Sequence, residues 1–221
     1  MVTVVDTLAP AGSPCRVIEL RRPEKVNCLS LRMLDDLLAA LDDCRASRII
    51  LTAAGGSFCS GLDLKEIAGV AGARMHLERL AGIYRQLVST GSSTVALVRG
   101  FAIGGGAGLL ACARTVIASS DLRVIVPAGE LAALASVVTP ILDLKTGAGR
   151  GQAWLGCDLD ASGALRAALV DRVLPPDQFD ALVQEARRGA LPPELVDSPA
   201  RDTSAVADAL RGLDAFLRST V

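Results

Sequence analysis

The sequence is poor in aromatic residues: Phe, Trp and Tyr make up 3% of its 221 residues, although 51% are hydrophobic. Its interior must therefore be built mainly from Ala, Leu, Val and Ile, whose small side chains favour closely packed helices. No run approaches the roughly 18 consecutive apolar residues that a membrane-spanning helix needs. The first ten residues lack the charged start, apolar middle and cleavage site of a signal peptide. We therefore expect a cytoplasmic protein with no membrane partner.

Charge clusters and metal-binding patterns are also lacking. With 23 basic and 24 acidic residues the formal net charge is −1, and no basic block is present, which argues against nucleic acid as a partner. The six cysteines contain no C-x-x-C pair and the chain has a single histidine, so we expect no metal site. Free cysteines in a reducing compartment usually pack as small apolar residues.

Strand-like and helix-like segments alternate along the chain. Residues 16–20 and 48–53 are apolar runs that predict strands. Between them, leucines at helical spacing follow Ser30, which predicts a helix with Ser30 as its N-cap. The order of strand, glycine loop and helix repeats over residues 94–113. This alternation predicts a layered α/β architecture.

Two glycine-bearing stretches follow strand-like runs. They are residues 56–64, with the sequence G-S-F-C-S-G-L-D-L, and residues 100–108, with the sequence G-F-A-I-G-G-G-A-G. Each puts flexible backbone where a strand ends, and the second begins a predicted helix, so unpaired N–H groups can point at a ligand oxygen. Two such amides can form an oxyanion hole, in which each donor stabilises the transition state by about 2.7 to 4 kcal/mol.

Four motifs, in this order, resemble the crotonase superfamily, which includes the enoyl-CoA hydratases and isomerases. Residues 22–30, R-P-E-K-V-N-C-L-S, are similar to the family's R-P-x-x-x-N-A-L-S, and residues 58–64, F-C-S-G-L-D-L, to its F-x-x-G-x-D-L. Residues 100–106 resemble its G-x-x-x-G-G-G turn, and residues 169–173, L-V-D-R-V, resemble its G-L-V-x-x-V close, with Ala168 in place of the glycine. A glycine triplet alone is weak evidence, whereas four motifs in order are strong.

The resemblance covers residues 16–188 and implies a crotonase-like spiral of repeated ββα units. It implies a core with the thioester site over residues 1–175 and a shortened C-terminal helical region over residues 176–221. Family members usually continue with several helices that cover the active site and build the trimer, but only about 48 residues follow Val173 here. From the resemblance we expect a homotrimer or hexamer. Because the C-terminal region is short, we expect a pocket that is more open than usual or is completed by a neighbouring chain.

The resemblance also implies where the oxyanion hole lies. Mapped onto this sequence, its two donors are the amides of Leu62 and Gly105, flanked by Gly61, Gly104 and Gly106. The bound oxygen would be the carbonyl oxygen of an acyl thioester, and the intermediate its enolate. The acyl group would be carried by coenzyme A, as part of the substrate, or by a carrier protein, and no separate cofactor is implied.

Four side chains are further candidates for substrate contacts. Lys25 and Lys65 stand where family members place basic groups near the phosphates or adenine of the coenzyme, although an exposed lysine is also ordinary surface. His76 and Tyr84 lie on the helical segment that borders the acyl pocket in relatives. The alternative for both is that they pack within the protein, with the Tyr84 hydroxyl bonded to a local partner.

The usual acid–base positions of the family are empty. Its hydratases carry one glutamate three residues after the middle glycine of the triplet and another just after the proline that follows the next strand pair. Here those positions are Gly108 and Ala128, and a further family position for an acid is Ser136. General acid–base catalysis contributes about 10²- to 10⁴-fold. The candidate substitute is Glu130, two residues after Ala128, whose alternative role is a favourable acid at a helix start.

Three functions remain open from the sequence. A hydratase, dehydratase or isomerase of acyl thioesters, with Glu130 as its acid–base, is favoured by the resemblance. A decarboxylase of malonyl-type thioesters suits the empty positions, because loss of CO₂ leaves the enolate directly. An accessory protein that binds a thioester without turnover, beside a polyketide synthase of antibiotic biosynthesis, suits an open pocket.

Overall fold

The computed structural model describes residues 1–8, 12–42, 44–67, 69–90, 93–128, 132–147, 151–192, 195 and 203–219. The strands are β1 Val2–Leu8, β2 Pro14–Leu20, β3 Arg48–Ala53, β4 Ser93–Val98, β5 Phe101–Ile103, β6 Thr115–Ser119, β7 Arg123–Ile125, β8 Asp158–Asp160 and β9 Arg172–Leu174. The α-helices are α1 Leu31–Asp42, α2 Gly69–Ser89, α3 Gly105–Cys112, α4 Ala132–Thr146, α5 Ala161–Arg166, α6 Pro176–Arg187 and α7 Thr203–Ser219. Short 3₁₀ helices span Pro23–Lys25 and Gly151–Trp154.

A six-stranded sheet forms the central layer, in the order β1-β2-β3-β4-β6-β9. Strand β1 pairs antiparallel with β2, and the remaining neighbours pair in parallel. Both faces are covered: Ile49 and Leu51 of β3 point into the larger core with α1, α2 and α3, whereas Ile50 joins a smaller core beneath α6. Burial on both faces explains why the parallel strands are continuous apolar runs.

The C-terminal helices pack on opposite sides of this layer. Phe179 and Leu182 of α6 complete the smaller core. Helix α7 contacts α2 and α4 and adds Leu213 to the larger core. The division of the chain into a core over residues 1–175 and a C-terminal helical region over residues 176–221 stays a prediction. Among the helices that the structure describes, none has both the length and the hydropathy needed to cross a bilayer.

A second, smaller sheet lies beside the main one and contains β5, β7 and β8. Strands β5 and β7 are parallel, and β8 is antiparallel to β7. Two isolated parallel bridges continue its pattern into the first glycine loop: Cys59 pairs with Ala102, and Leu62 with Leu29. This sheet therefore joins both glycine stretches through their backbones.

The predicted strand–helix alternation is confirmed, and so is the N-cap, since Met33 N donates to Ser30 Oγ at 3.2 Å. Strand β1 is not predicted by the sequence pattern, since its Val4 and Val5 are 40% and 44% exposed at the sheet edge and give no clear alternation. Strands β5 and β8 are not predicted either, because they have three residues each and are shorter than a periodicity pattern can identify.

Asn27 joins the loop before α1 to the first glycine loop. Its side chain is fully buried, and its φ of 51° lies in the left-handed region that Asn tolerates better than most residues. Oδ1 accepts from Arg22 N at 2.7 Å, and Nδ2 donates to the carbonyls of Ala54 and Ser57, both at 2.8 Å. One side chain therefore satisfies three backbone groups.

Replacing Asn27→Ala is expected to lower the free energy of unfolding by about 3 kcal/mol, because each buried polar group left without a partner costs about 1–3 kcal/mol. Chemical denaturation measures the loss. The control is Ser47→Ala, which removes an exposed hydroxyl bonded to Pro14 O at 3.0 Å; its effect should stay within about 0.5 kcal/mol. Equal losses in the two variants would contradict the anchoring role.

Candidate active site

The second sheet holds the two glycine stretches side by side. Cys59 N donates to Phe101 O, and Ile103 N donates to Cys59 O, each at 2.9 Å. Just beyond this pair, a Cβ on Gly61 would lie 2.8 Å from Ile103 O and 3.5 Å from Gly105 N, and the φ of Gly61 is +88°. Glycine is therefore required at position 61, and the backbones of both stretches meet there.

The Leu62 amide points away from Leu29. Leu29 N donates to Gly61 O at 2.7 Å, and Asp63 N donates to Leu29 O at 3.0 Å. Because consecutive N–H groups of an extended backbone point in opposite directions, the Leu62 N–H faces the other side of this segment. No acceptor for it is found among the described residues, so this donor is available.

Gly105 supplies the second amide, as the first residue of α3. The N–H groups of a first helical turn have no acceptor within the helix, and they lie at its partially positive end. Gly104, with a φ of 50°, donates to Ile125 O at 2.8 Å, which seats the start of α3 on the end of β7. Gly106 is the second residue of α3. In the described part of the chain, Gly105 N–H likewise has no acceptor.

A cavity of about 310 Å³ opens beside Gly104, where the parallel strands β5 and β7 end. Its walls are apolar apart from backbone groups. They are formed by Leu64, Gly104, Val126, Pro127, Ala128, Leu134, Ala135, Val138 and Leu155. Ligands of α/β proteins commonly bind at the carboxyl ends of parallel strands. This cavity is therefore the natural place for an apolar group next to the two amides.

Two of the three empty acid–base positions, Ala128 and Ser136, are exposed. Ala128 lines the cavity. Ser136 lies on α4. Glu130, the candidate substitute, lies outside the described residues. Among the residues that the structure describes, no carboxylate lines the cavity.

Tyr84 fills the place that a side chain at position 108 would take. A Cβ on Gly108 would lie 2.2 Å from Tyr84 Oη and 2.5 Å from its Cζ. Tyr84 is fully buried, and its hydroxyl donates to Gly105 O at 2.6 Å. Burial raises the pKa of Tyr84 well above its ordinary value of 10.0, so the hydroxyl remains a protonated donor at neutral pH. Tyr84 thus contacts the glycine turn and is not on the cavity wall.

His76 is also fully buried. Its Nδ1 donates to Gly72 O at 2.8 Å, and its Nε2 lies 3.7 Å from Glu66 Oε2 with no hydrogen-bond partner among the described residues. Glu66 Oε2 accepts in turn from Leu31 N at 2.9 Å, at the start of α1. The structure therefore places His76 on α2 facing Glu66, in the segment after the first glycine loop, and not on the cavity wall.

Lys25 and Lys65 are exposed, and neither forms an ion pair with a described carboxylate. Their two segments are joined by an ion pair of 2.6 Å between Arg22 and Asp63. Burial alone would raise the pKa of Asp63, but hydrogen bonds from Arg22, Cys28 and Lys65 N lower it overall. Asp63 therefore stays charged and anchors its loop, and both ammonium groups are free to meet an anionic ligand.

Metal or thiol chemistry has no support in the described residues. No group of three or more His, Cys, Asp or Glu residues within them could hold a metal ion. Cys59, beside the first amide, is fully buried, and burial raises the pKa of its thiol to about 12. A protonated thiol is a poor nucleophile, so Cys59 acts as a packing residue.

Comparison with known proteins gives one consistent result. The sequence model of the family described as enoyl-CoA hydratase/isomerase matches residues 12–211. A probable enoyl-CoA hydratase of Rhizobium meliloti is 31% identical over 191 residues, which cover 83% of this chain and 71% of that protein. A probable enoyl-CoA hydratase of Mycobacterium bovis is 29% identical over 182 residues, covering 79% and 69%.

Solved structures share the fold over nearly the whole chain. An enoyl-CoA hydratase from Bacillus anthracis superposes with a TM-score of 0.71 at 21% identity, covering 99% of this chain and 91% of that one. The protein AtuE of Pseudomonas aeruginosa gives a TM-score of 0.72 at 24% identity, covering 100% and 89%. At these identities the likeness establishes the fold.

The contact between Tyr84 and position 108 predicts an unusual stability effect. Gly→Ala inside a helix normally stabilises it by about 1 kcal/mol. Gly108→Ala is expected instead to destabilise the protein by about 1–3 kcal/mol, because the new methyl group overlaps a rigid ring. The control is Gly72→Ala on α2, where the nearest atom would be 3.6 Å away. Chemical denaturation compares them, and a stabilised Gly108→Ala variant would contradict the overlap.

Proposed function

Because the chain belongs to the enoyl-CoA hydratase/isomerase family, within the crotonase superfamily, we propose that it binds an acyl thioester and stabilises the enolate formed from it. The crotonase-like α/β fold expected from the four sequence motifs is confirmed. One observation carries the proposal: the amides of Leu62 and Gly105 lie at adjoining backbone segments and have no acceptor among the described residues.

The geometry supports a division of roles. The thioester carbonyl oxygen accepts from Leu62 N–H and Gly105 N–H, and the acyl chain enters the apolar cavity beside Gly104. As the enolate forms, negative charge moves onto this oxygen, and each fixed donor stabilises it by about 2.7 to 4 kcal/mol. Lys25 and Lys65 are exposed, as contacts to the phosphates of coenzyme A require. The coenzyme enters as part of the substrate.

We favour a hydratase, dehydratase or isomerase reaction with Glu130 as the proton-transferring group. In the sequence, Glu130 comes two residues after Ala128, which lines the cavity. In this role its carboxylate moves the proton at the acyl carbon while the two amides hold the enolate oxygen. The family membership supports this class of reaction.

Decarboxylation of a malonyl-type thioester is the second candidate, favoured by the apolar walls of the cavity and by Tyr84 in the space beside Gly108. The bond from the α-carbon to the carboxylate breaks, CO₂ leaves, and the electron pair of that bond forms the enolate. Water then protonates the α-carbon. This sequence needs the two amides and no protein base.

The oligomeric state, the cellular location and the acyl donor stay predictions from the sequence. They are a homotrimeric or hexameric assembly, a cytoplasmic location, and either coenzyme A or a carrier protein as the acyl donor. A synthase partner of antibiotic biosynthesis belongs with the carrier-protein alternative.

Gly105→Pro tests the second donor directly. Proline is well tolerated at the first position of a helix, where it replaces the N–H with the ring Cδ. We expect kcat for the accepted thioester to fall by about 10²- to 10³-fold. Gly105→Ala is the matched control, because it keeps the N–H and its Cβ meets only the flexible ends of Leu80, at 3.2 Å, and Leu29, at 3.5 Å. Equal kcat values for the two variants would remove Gly105 N–H from the mechanism.

Glu130→Gln separates the two candidate reactions. Hydration or isomerisation of enoyl-CoA thioesters is expected to fall by about 10²- to 10⁴-fold, as for loss of a general acid–base. Release of CO₂ from malonyl-type thioesters should stay close to the wild-type rate, because that step needs no base. Circular dichroism verifies folding. A Glu130→Gln variant that hydrates at full rate would exclude Glu130, and CO₂ release without hydration in the wild type would favour decarboxylation.

A further inference from the structure

Two successive turns of α2 contact a single residue of the glycine triplet. Leu80 Cδ2 packs 3.2 Å from the position that a Gly105 Cβ would take. One turn later, Tyr84 Oη donates to Gly105 O at 2.6 Å. Because residues four apart lie on one face of a helix, α2 contacts Gly105 both by packing and by a hydrogen bond.

The start of α3 needs such support. Three of its first four residues are glycines, each costing about 1 kcal/mol of helix stability relative to alanine because of backbone freedom. Gly105 N–H has no acceptor among the described residues, and the planar peptide unit that contains it is held through Gly104 O, which accepts from Gly108 N at 3.1 Å. Tyr84 holds the next peptide unit through Gly105 O. The two peptide units that meet at the Gly105 Cα are therefore both restrained.

We propose that Tyr84 is a positioning residue of the oxyanion hole, whose hydroxyl holds the Gly105 carbonyl and thereby restrains the backbone that carries the Gly105 N–H. The inference rests on the proposed function, since it assigns Tyr84 to that same hole. The thiols of Cys59 and Cys112 lie near the ring, and the full burial of Tyr84 keeps water from competing for Gly105 O. The hydroxyl is thus a neutral donor in a dry setting, where hydrogen bonds are strong.

Tyr84 also excludes the acid–base group that hydratases of the family carry at this helix position. A glutamate at position 108 would need the volume that holds the Tyr84 ring, given the 2.2 Å approach. The side chain that positions the amide is therefore the same one that keeps a carboxylate away from it. Proton transfer at this site has to come from another direction than position 108.

The test is Tyr84→Phe, which removes the hydroxyl and keeps the ring. We expect kcat to fall by about tenfold, the cost of one lost hydrogen bond, while KM changes by less than about twofold. The second readout is the carbonyl stretch of an isotope-labelled acyl-CoA bound to the protein. When the acyl-CoA binds to the wild type, hydrogen bonds from the two amides should lower this frequency. When it binds to Tyr84→Phe, the frequency should be lowered by a smaller amount.

Two variants calibrate this experiment. Gly105→Pro lacks the N–H altogether and therefore shows how much of the shift in carbonyl frequency depends on that donor. Thr146→Val removes a hydroxyl that donates to a helix carbonyl, Leu142 O at 2.9 Å, far along α4 from the glycine turn, and should leave both readouts unchanged. A Tyr84→Phe protein that is less stable yet has wild-type kcat and carbonyl frequency would overturn the positioning role. A wild type that binds acyl-CoA with no frequency shift would overturn the proposed function and the inference together.

A second measurement does not depend on the folding of Tyr84→Phe. Because the chain contains one tyrosine, growth on 3-fluorotyrosine labels residue 84 alone. We expect its single ¹⁹F resonance to move when acyl-CoA is added and to stay in place with free coenzyme A, which lacks the carbonyl. A resonance that stays in place when the acyl thioester binds would contradict the link between Tyr84 and the oxyanion hole.

Discussion

Two backbone hydrogen bonds between Cys59 and β5 hold the candidate site together. They join segments that lie about forty residues apart, and everything near the two amides follows from the resulting register. The pairing brings Gly61 against Ile103 and Gly105, which only a residue without a Cβ allows. It also extends the small sheet so that the first loop, β5 and β7 end at one cavity. The chemistry of the site is thus presented mainly by main-chain groups.

The scarcity of aromatic residues is reflected in the composition of α3. This helix consists of Gly, Ala, Leu and Cys, and all eight residues are buried. Such small side chains let α2 come close, so that one tyrosine can reach across to the glycine turn. The packing density of a protein interior then makes the arrangement specific, because the ring that fills the space leaves no room for a methyl group at position 108.

Much of the backbone could be predicted from the sequence, because apolar runs, glycines and caps act locally. The cap at Ser30 and the strands at 16–20 and 48–53 are of this kind. The positions of Leu62 and Gly105 followed from motifs, and the structure leaves both amides available. The role of Tyr84 could not be predicted, since its contact with Gly108 spans 24 residues and depends on how two helices pack. In the sequence, Gly108 indicated only that the acid of the family is missing at this position. In the structure, the ring of Tyr84 occupies the volume that a side chain at position 108 would need.

The exchange of volume between Tyr84 and Gly108 also constrains how this chain can evolve. A glutamate at position 108 overlaps the ring, whereas shortening Tyr84 first leaves a hole in the core and frees Gly105 O. Large-to-small changes of a buried aromatic residue cost about 3–5 kcal/mol, a large part of the stability of an ordinary domain. Each substitution therefore destabilises the protein while the other position is unchanged. A carboxylate can be introduced at position 108 only together with a compensating change at position 84.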